Sequence, residues 1–186
     1  KRTPSIIVIF QSFLKSKMGD DNILKTLNLE DTDYLLHVGS FDKRKDLITL
    51  VKAFKLLKED TKNKHLKLVL AGKKILNGNA EVLNDLEKYI LENNLSTSIL
   101  MTDYLSNAEI SSLFKKALIY VFPSVEEGFG IPILEAFAMK TPVVTSNAGA
   151  MLEVAEGAAE HYNAGDHNEL FKTLTKLIIS KPERTY

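Results

Sequence analysis

Three glutamates, two glycines and a proline share the ten residues "EEGFGIPILE", from Glu126 to Glu135. Gly128 and Gly130 let the backbone approach a ligand without intervening side chains, and Pro132 suits the first turn of a helix. The arrangement predicts an exposed helix start whose unpaired amides and positive dipole end can hold phosphate. Glu135, one turn into that helix, is placed to accept two hydroxyls of a diol beside a bound phosphate. Glu127, ahead of the glycines, is placed on the other side, where a transferred group would lie. Acids near a helix start are also favoured by the dipole alone, at about 0.3–1 kcal/mol each. Glu126 is assigned to that effect or to plain solvation.

Cations come from a second loop, "GSFDKRKD". Gly39 closes an apolar run, and Arg44 and Lys45 stand just before the next helical pattern, where they could clamp a diphosphate from the side opposite the helix start. The competing reading, that Lys43, Arg44 and Lys45 form one solvated basic run, has equal weight on the residues alone. In a third loop, "LAGKK", Gly72 ends another apolar run and Lys73 and Lys74 follow. The four histidines, His37, His65, His161 and His167, show no ligand spacing and are read as structural or surface residues.

The elements that must position these loops alternate along the chain. Short β-rich apolar runs occur at "SIIVIF", "YLLHVG", "LKLVLAG", "TSILM", "LIYVF" and "PVVTS". Between them lie amphipathic helical patterns. One places Leu47, Leu50, Val51, Phe54 and Leu57 on a single face behind an Asp46 N-cap. Another carries Val82, Leu83, Leu86 and Ile90, and a third Ile110, Leu113, Phe114 and Ala117 after Asn107. The last opens on Asp166 with Glu169 as a capping box and buries Leu170, Leu174, Leu177 and Ile178. Continuous apolar strands alternating with such helices predict an α/β fold: a doubly wound parallel sheet in a Rossmann-like three-layer domain. Ligands then sit outside the carboxyl ends of the strands, where the three loops lie.

Composition sets the outer limits. The 186 residues are 45% hydrophobic and 26% charged, enough for one domain with its own core. Lys plus Arg and Asp plus Glu are both 24, so no net field attracts nucleic acid, and a bound anion must be held locally. With no cysteine, a disulfide framework, a zinc–thiolate site and a cysteine nucleophile are excluded, which fits a reducing, cytoplasmic setting.

Taken together, "YLLHVGSFDKRKDLITLVKAF", "LKLVLAGKK" and the run from "LMTDYLSNAEI" through "FPSVEEGFGIPILEAFAMKTPVV" to "EHYN" resemble the carboxyl-terminal, donor-binding domain of retaining glycosyltransferases of family 4, or group 1, with the GT-B fold. The specific marker is the pair Glu127 and Glu135, separated by seven residues within "EGFGIPILE". The resemblance implies that Glu127, the catalytic candidate, lies beside the donor sugar and that Glu135 binds the ribose hydroxyls. Arg44 and Lys45 would contact the diphosphate, and the turns at Gly39 and Gly72 would line the donor site. Amides from Gly128 through Phe129 and Gly130 to Ile131 would meet sugar hydroxyls, those of Ile133 and Leu134 the phosphates. Leu105, and less so Tyr104, would contact the base. Four positions depart from the common pattern: Ser40 where many members have arginine, Asp103 where many have glycine, and Met139 and Lys140 in place of a small residue and glycine.

The resemblance further implies hexosyl transfer from a nucleotide diphosphate sugar to an acceptor hydroxyl in glycan or polysaccharide biosynthesis, with neither cofactor nor metal. Residues 1–186 read as one nucleotide-sugar-binding domain, with an entry strand and connector over 1–33 and a tail over 181–186. An amino-terminal domain in a longer enzyme would present the acceptor, a glycan or lipid-linked glycan, and would carry any contact with a membrane surface. No nucleic-acid partner is implied, and the isolated half is expected to be inactive. Two other classes stay in view. One is a non-catalytic nucleotide-sugar-binding subunit that needs a partner chain. The other is a dinucleotide-dependent oxidoreductase, suggested by "GFG" after a strand but lacking the third glycine and a ribose-binding acid at a strand end.

Overall fold

The computed structural model describes residues 22–72 and 80–180. The expected "SIIVIF" strand, Lys73, Lys74 and the tail from 181 lie outside the described residues. A short helix α1 (Asn22–Thr26) leads into β1 (Tyr34–Val38). Then follow a 3-10 turn (Lys43–Lys45), α2 (Leu47–Glu59), β2 (Lys67–Ala71), α3 (Ala80–Glu92), β3 (Ile99–Thr102) and α4 (Asn107–Lys116). The second half comprises β4 (Ile119–Phe122), α5 (Ile131–Ala138), β5 (Val143–Ser146), α6 (Met151–Val154), β6 (Glu160–Tyr162) and α7 (His167–Ile179). All neighbouring strands are parallel, in the order β3-β2-β1-β4-β5-β6.

Strand side chains alternate between two cores, as a sheet covered on both faces requires. Leu35, Leu68, Leu70, Ile119, Val121 and Val144 point into a layer with α2, α3 and α7. Tyr34, Leu36, Val38, Val69, Tyr120 and Val143 point into the opposite layer, formed by α1, α4, α5 and α6. The expected stripe of α2, from Leu47 to Leu57, is buried throughout. Fully burying a Leu or Phe of this kind contributes about 1.5–3 kcal/mol.

Several local expectations change. Helix α4 is capped by Ser106, the residue before Asn107: its side chain accepts the Glu109 amide while Glu109 returns to the Ser106 amide, completing a capping box. At α7 the Asp166 carboxylate accepts the amides of Asn168 and Glu169, but the Glu169 carboxylate reaches back to Asn163 N at 2.9 Å, so the expected capping box does not close. Asp46 occupies the N-cap position of α2 in a left-handed conformation (φ 45, ψ 44), turning the chain out of the preceding 3-10 turn. Strand β6 and helix α6 were not expected.

The strand order reverses between β1 and β4, which makes the crevice there the switch point of the fold. The two sides of β1 are unequal. Against β2 the register runs from Tyr34↔Lys67 to Val38↔Ala71, whereas against β4 it covers only Leu35↔Ile119 and Leu36↔Tyr120. Beyond that point side chains take over. The His37 ring nitrogen Nδ1 lies 3.1 Å from Val121 O, and the Tyr120 hydroxyl donates to Val38 O at 3.4 Å. The sheet therefore opens toward the loops that follow β1 and β4.

Candidate functional site

The loop after β1 is ordered by Asp42. Its carboxylate accepts the Ser40 hydroxyl at 2.6 Å and the Arg44 amide at 3.1 Å, and the Arg44 side chain lies 3.4 Å away. Burial alone would raise the Asp42 pKa; the Ser40 bond, the Arg44 charge and amide, and Lys45 overcome it and lower the pKa. The 3-10 turn that Asp42 caps splits the basic run. Lys43 and Arg44 face outward, while Lys45 turns into the crevice with its side chain only 11% exposed.

There the Lys45 ammonium bonds Glu127 Oε1 from the loop after β4 and lies 5.1 Å from the centre of the Phe122 ring. Taking this pair out of water is costly, and the bond with the ring beneath offsets that cost. A backbone bond from Val125 N to Arg44 O, at 2.8 Å, ties the same two loops together. Two residues singled out from separate loops, Lys45 and Glu127, thus meet across the switch point.

Gly39 and Gly72 close the β1–β2 side. Gly39 N donates to Ala71 O at 2.9 Å, and a Cβ on Gly72 would stand 1.7 Å from Gly39 O. On the other side, Gly130 is the N-cap of α5 with φ 73, and no side chain caps that helix. Pro132 brings no amide hydrogen, and the Ile133 amide already donates to Gly130 O at 2.9 Å, so a phosphate reaching Ile133 competes with that bond. Ile133 is buried, Ile131 and Leu134 are half-buried, and Gly128 and Phe129 are exposed.

Glu135 lies half-buried on α5 with no ion-pair partner among the described residues. Burial pushes its pKa up to about 7. Its charge and that of Glu127 both raise the pKa of the buried Tyr120, after the larger effect of that ring's own burial. A tight turn behind them supports the loop, with Gly149 (φ 57) set against the Glu127 backbone. Past β3, Leu105 is half-buried against the core, and Tyr104 projects with 77% of its surface exposed. Among the described residues no group of three or more His, Asp or Glu could hold a metal ion.

A family model described as "Glycosyl transferases group 1" matches residues 20–186. The chain belongs to the group 1 glycosyltransferases. Within this family it is 30% identical, over 96% of its own length, to the O-antigen chain mannosyltransferase RfbU of Salmonella typhimurium, of which it covers 45%. The chain thus spans less than half the length of that curated relative. Among solved structures it resembles the C-terminal domain of the group 1 protein LpcC from Francisella tularensis. The TM-score is 0.72 at 21% identity, over 87% of this chain and 84% of that one. It also resembles the Anabaena protein HepE in complex with UDP-glucose, with TM-score 0.76 and 20% identity over 86% of this chain and 43% of that one. These structures share the GT-B, Rossmann-like fold of the family. No described helix is long and apolar enough to cross a membrane.

The histidine at position 37, read from the sequence as structural or surface, is fully buried directly under this site. Its place after three apolar residues and two positions before Gly39 was the only available signal.

Proposed function

We propose that this chain is the donor-binding half of a retaining group 1 glycosyltransferase that takes a nucleotide diphosphate sugar. The reading rests on one observation: Lys45 and Glu127, from the loops after β1 and β4, meet at the switch point beside an α5 start that no side chain caps. Lys45, Arg44 and the first amides of α5 hold the diphosphate, Glu135 takes the ribose hydroxyls, and Glu127 lies against the sugar. An acceptor hydroxyl, presented by a domain beyond these residues, attacks the anomeric carbon on the face the diphosphate leaves. The C–O bond to phosphate breaks with its electron pair, and the hydroxyl proton passes to the leaving phosphate oxygen.

Negative charge grows on that diphosphate in the transition state. Lys45, already turned into the crevice, and the α5 dipole meet it there, with Arg44 swinging in from the outer side of its loop, and such electrostatic stabilisation is usually the largest single contribution to catalysis. No metal is assigned to the reaction. Glu127 stabilises and orients the cationic sugar rather than forming a covalent intermediate. The transferred group is a hexose, and mannose is the first to try because RfbU is a mannosyltransferase.

Calorimetric or NMR titration of the chain with UDP, GDP and ADP tests the reading. One of them is expected to bind, and the lack of any response at millimolar ligand would end it. The alternative of a non-catalytic subunit is separated by assaying the full reading frame for sugar transfer: an acceptor-type domain with activity in the same chain decides for the enzyme.

A further inference from the structure

His37 takes no part in the reading above, yet it lies at the point where the donor loops converge. Its ring is fully buried, and Nδ1 sits 3.1 Å from Val121 O. A carbonyl only accepts, so Nδ1 carries the hydrogen and Nε2 presents a lone pair. Burial, with a smaller contribution from the Lys45 charge, outweighs the Val121 bond and lowers the ring's pKa to about 3, which keeps it neutral at working pH.

That lone pair has no partner among the described residues. Buried acceptors are seldom left so, and the side chain of Lys45 borders the same space. Nε2 is 3.1 Å, and Lys45 Cε 3.4 Å, from the same point, the position that a Cβ on Gly39 would occupy. The Phe122 ring lies under the Lys45 ammonium and also stacks with the His37 ring, 6.4 Å between centroids and 19° between planes. The ammonium has three N–H donors, and Glu127 accepts one of them. Rotation about the Cδ–Cε bond sweeps Nζ around a fixed Cε.

We propose that His37 is a positioning residue for Lys45: when a donor diphosphate draws the ammonium off Glu127, the Nε2 lone pair accepts one of its N–H groups. Lys45 is then held between phosphate and imidazole, and Glu127 is released toward the sugar. The neutral tautomer is essential, since an imidazolium would repel the ammonium and offer it no acceptor. The proposal rests on the donor-site reading given under Proposed function.

The test uses the chain with 15N-labelled histidine, titrated with UDP, GDP and ADP and, separately, with uridine, guanosine and adenosine. The diphosphate that binds is expected to move the His37 Nε2 resonance in the direction of a hydrogen-bonded acceptor, with Nδ1 nearly still. Its nucleoside should leave both unchanged. His37→Phe, which keeps the stacking but removes the Nε2 acceptor together with the Nδ1 bond to Val121 O, should weaken diphosphate binding about tenfold. Nucleoside affinity should not change, and His37→Gln, with a carbonyl able to accept, should recover part of the loss.

A purely structural role would lower the melting temperature of His37→Phe, leave the diphosphate-to-nucleoside affinity ratio unchanged and leave Nε2 silent; that pattern overturns the proposal while the donor site stands. Absence of diphosphate binding to the wild-type chain overturns both. Should His37→Phe not fold, the wild-type Nε2 response decides alone.

Discussion

Replacing Gly72 by alanine asks how closely the loops of the site depend on the β1–β2 edge. The new Cβ would stand 1.7 Å from the Gly39 carbonyl oxygen and 2.7 Å from its carbon, both backbone atoms that no rotamer change can clear. Restoring ordinary contact requires the strand ends to part by about 1.5–2 Å. The neighbouring bond from Gly39 N to Ala71 O, now 2.9 Å, cannot survive that movement. Overpacking and the lost bond together should cost about 2–4 kcal/mol. In a chain of this size that lowers the melting temperature by on the order of 10 °C. Gly128→Ala is the matched control, because nothing lies within 4 Å of its Cβ. It should change stability by less than about 0.5 kcal/mol. Urea unfolding followed by circular dichroism measures both, and the Gly72 variant should also lose nucleotide affinity as the Gly39 loop carries Lys45 with it. Equal midpoints for the two variants would refute the reasoning.

Glu135 binds more protons folded than unfolded, since its pKa rises from the ordinary 4.5 to about 7. The native state should therefore lose stability as pH climbs from 4.5 to about 7 and level off above, by on the order of 2–3 kcal/mol relative to Glu135→Gln. Urea midpoints at pH 4.5 and 8 check this, and a constant difference between the two proteins would contradict it. Glu135→Ala should weaken nucleotide binding, whereas Glu127→Ala in the full enzyme should mainly lower turnover; calorimetry beside steady-state kinetics separates them, and equal losses of binding would dissolve the division. Ser106→Ala, which removes the α4 capping box, should cost about 1 kcal/mol in urea unfolding and leave nucleotide affinity unchanged.

The layers were legible because their signals are long. The stripe from Leu47 to Leu57 can be only one face of a helix, and "LKLVLAG" and "LIYVF" are too apolar for anything but a sheet covered on both sides. Strand β6 escaped notice because it is three residues long, lies at the sheet edge, and has half-buried Glu160 and His161 in two of those places. It forms by pairing with β5, a tertiary event that no local pattern announces. The site divides in the same way. Glycines at strand ends and the spacing of Glu127 and Glu135 marked the loops. The separation of Lys45 from Lys43 and Arg44 depends on Asp42 capping a 3-10 turn and on the left-handed Asp46, both of which are set in three dimensions. The return of Glu169 to Asn163, rather than to its own cap, likewise depends on where β6 ends.

The early end of the β1–β4 ladder also has a bearing on how this protein could be altered. At most places in a sheet the gap between strands is held at about 4.8 Å by main-chain bonds, which side-chain substitutions do not touch. Here the gap beyond Leu36 is spanned by an imidazole and a phenol. Positions 37 and 120 are thus tethers made of side chains, open to alteration by substitution where a main-chain ladder is not.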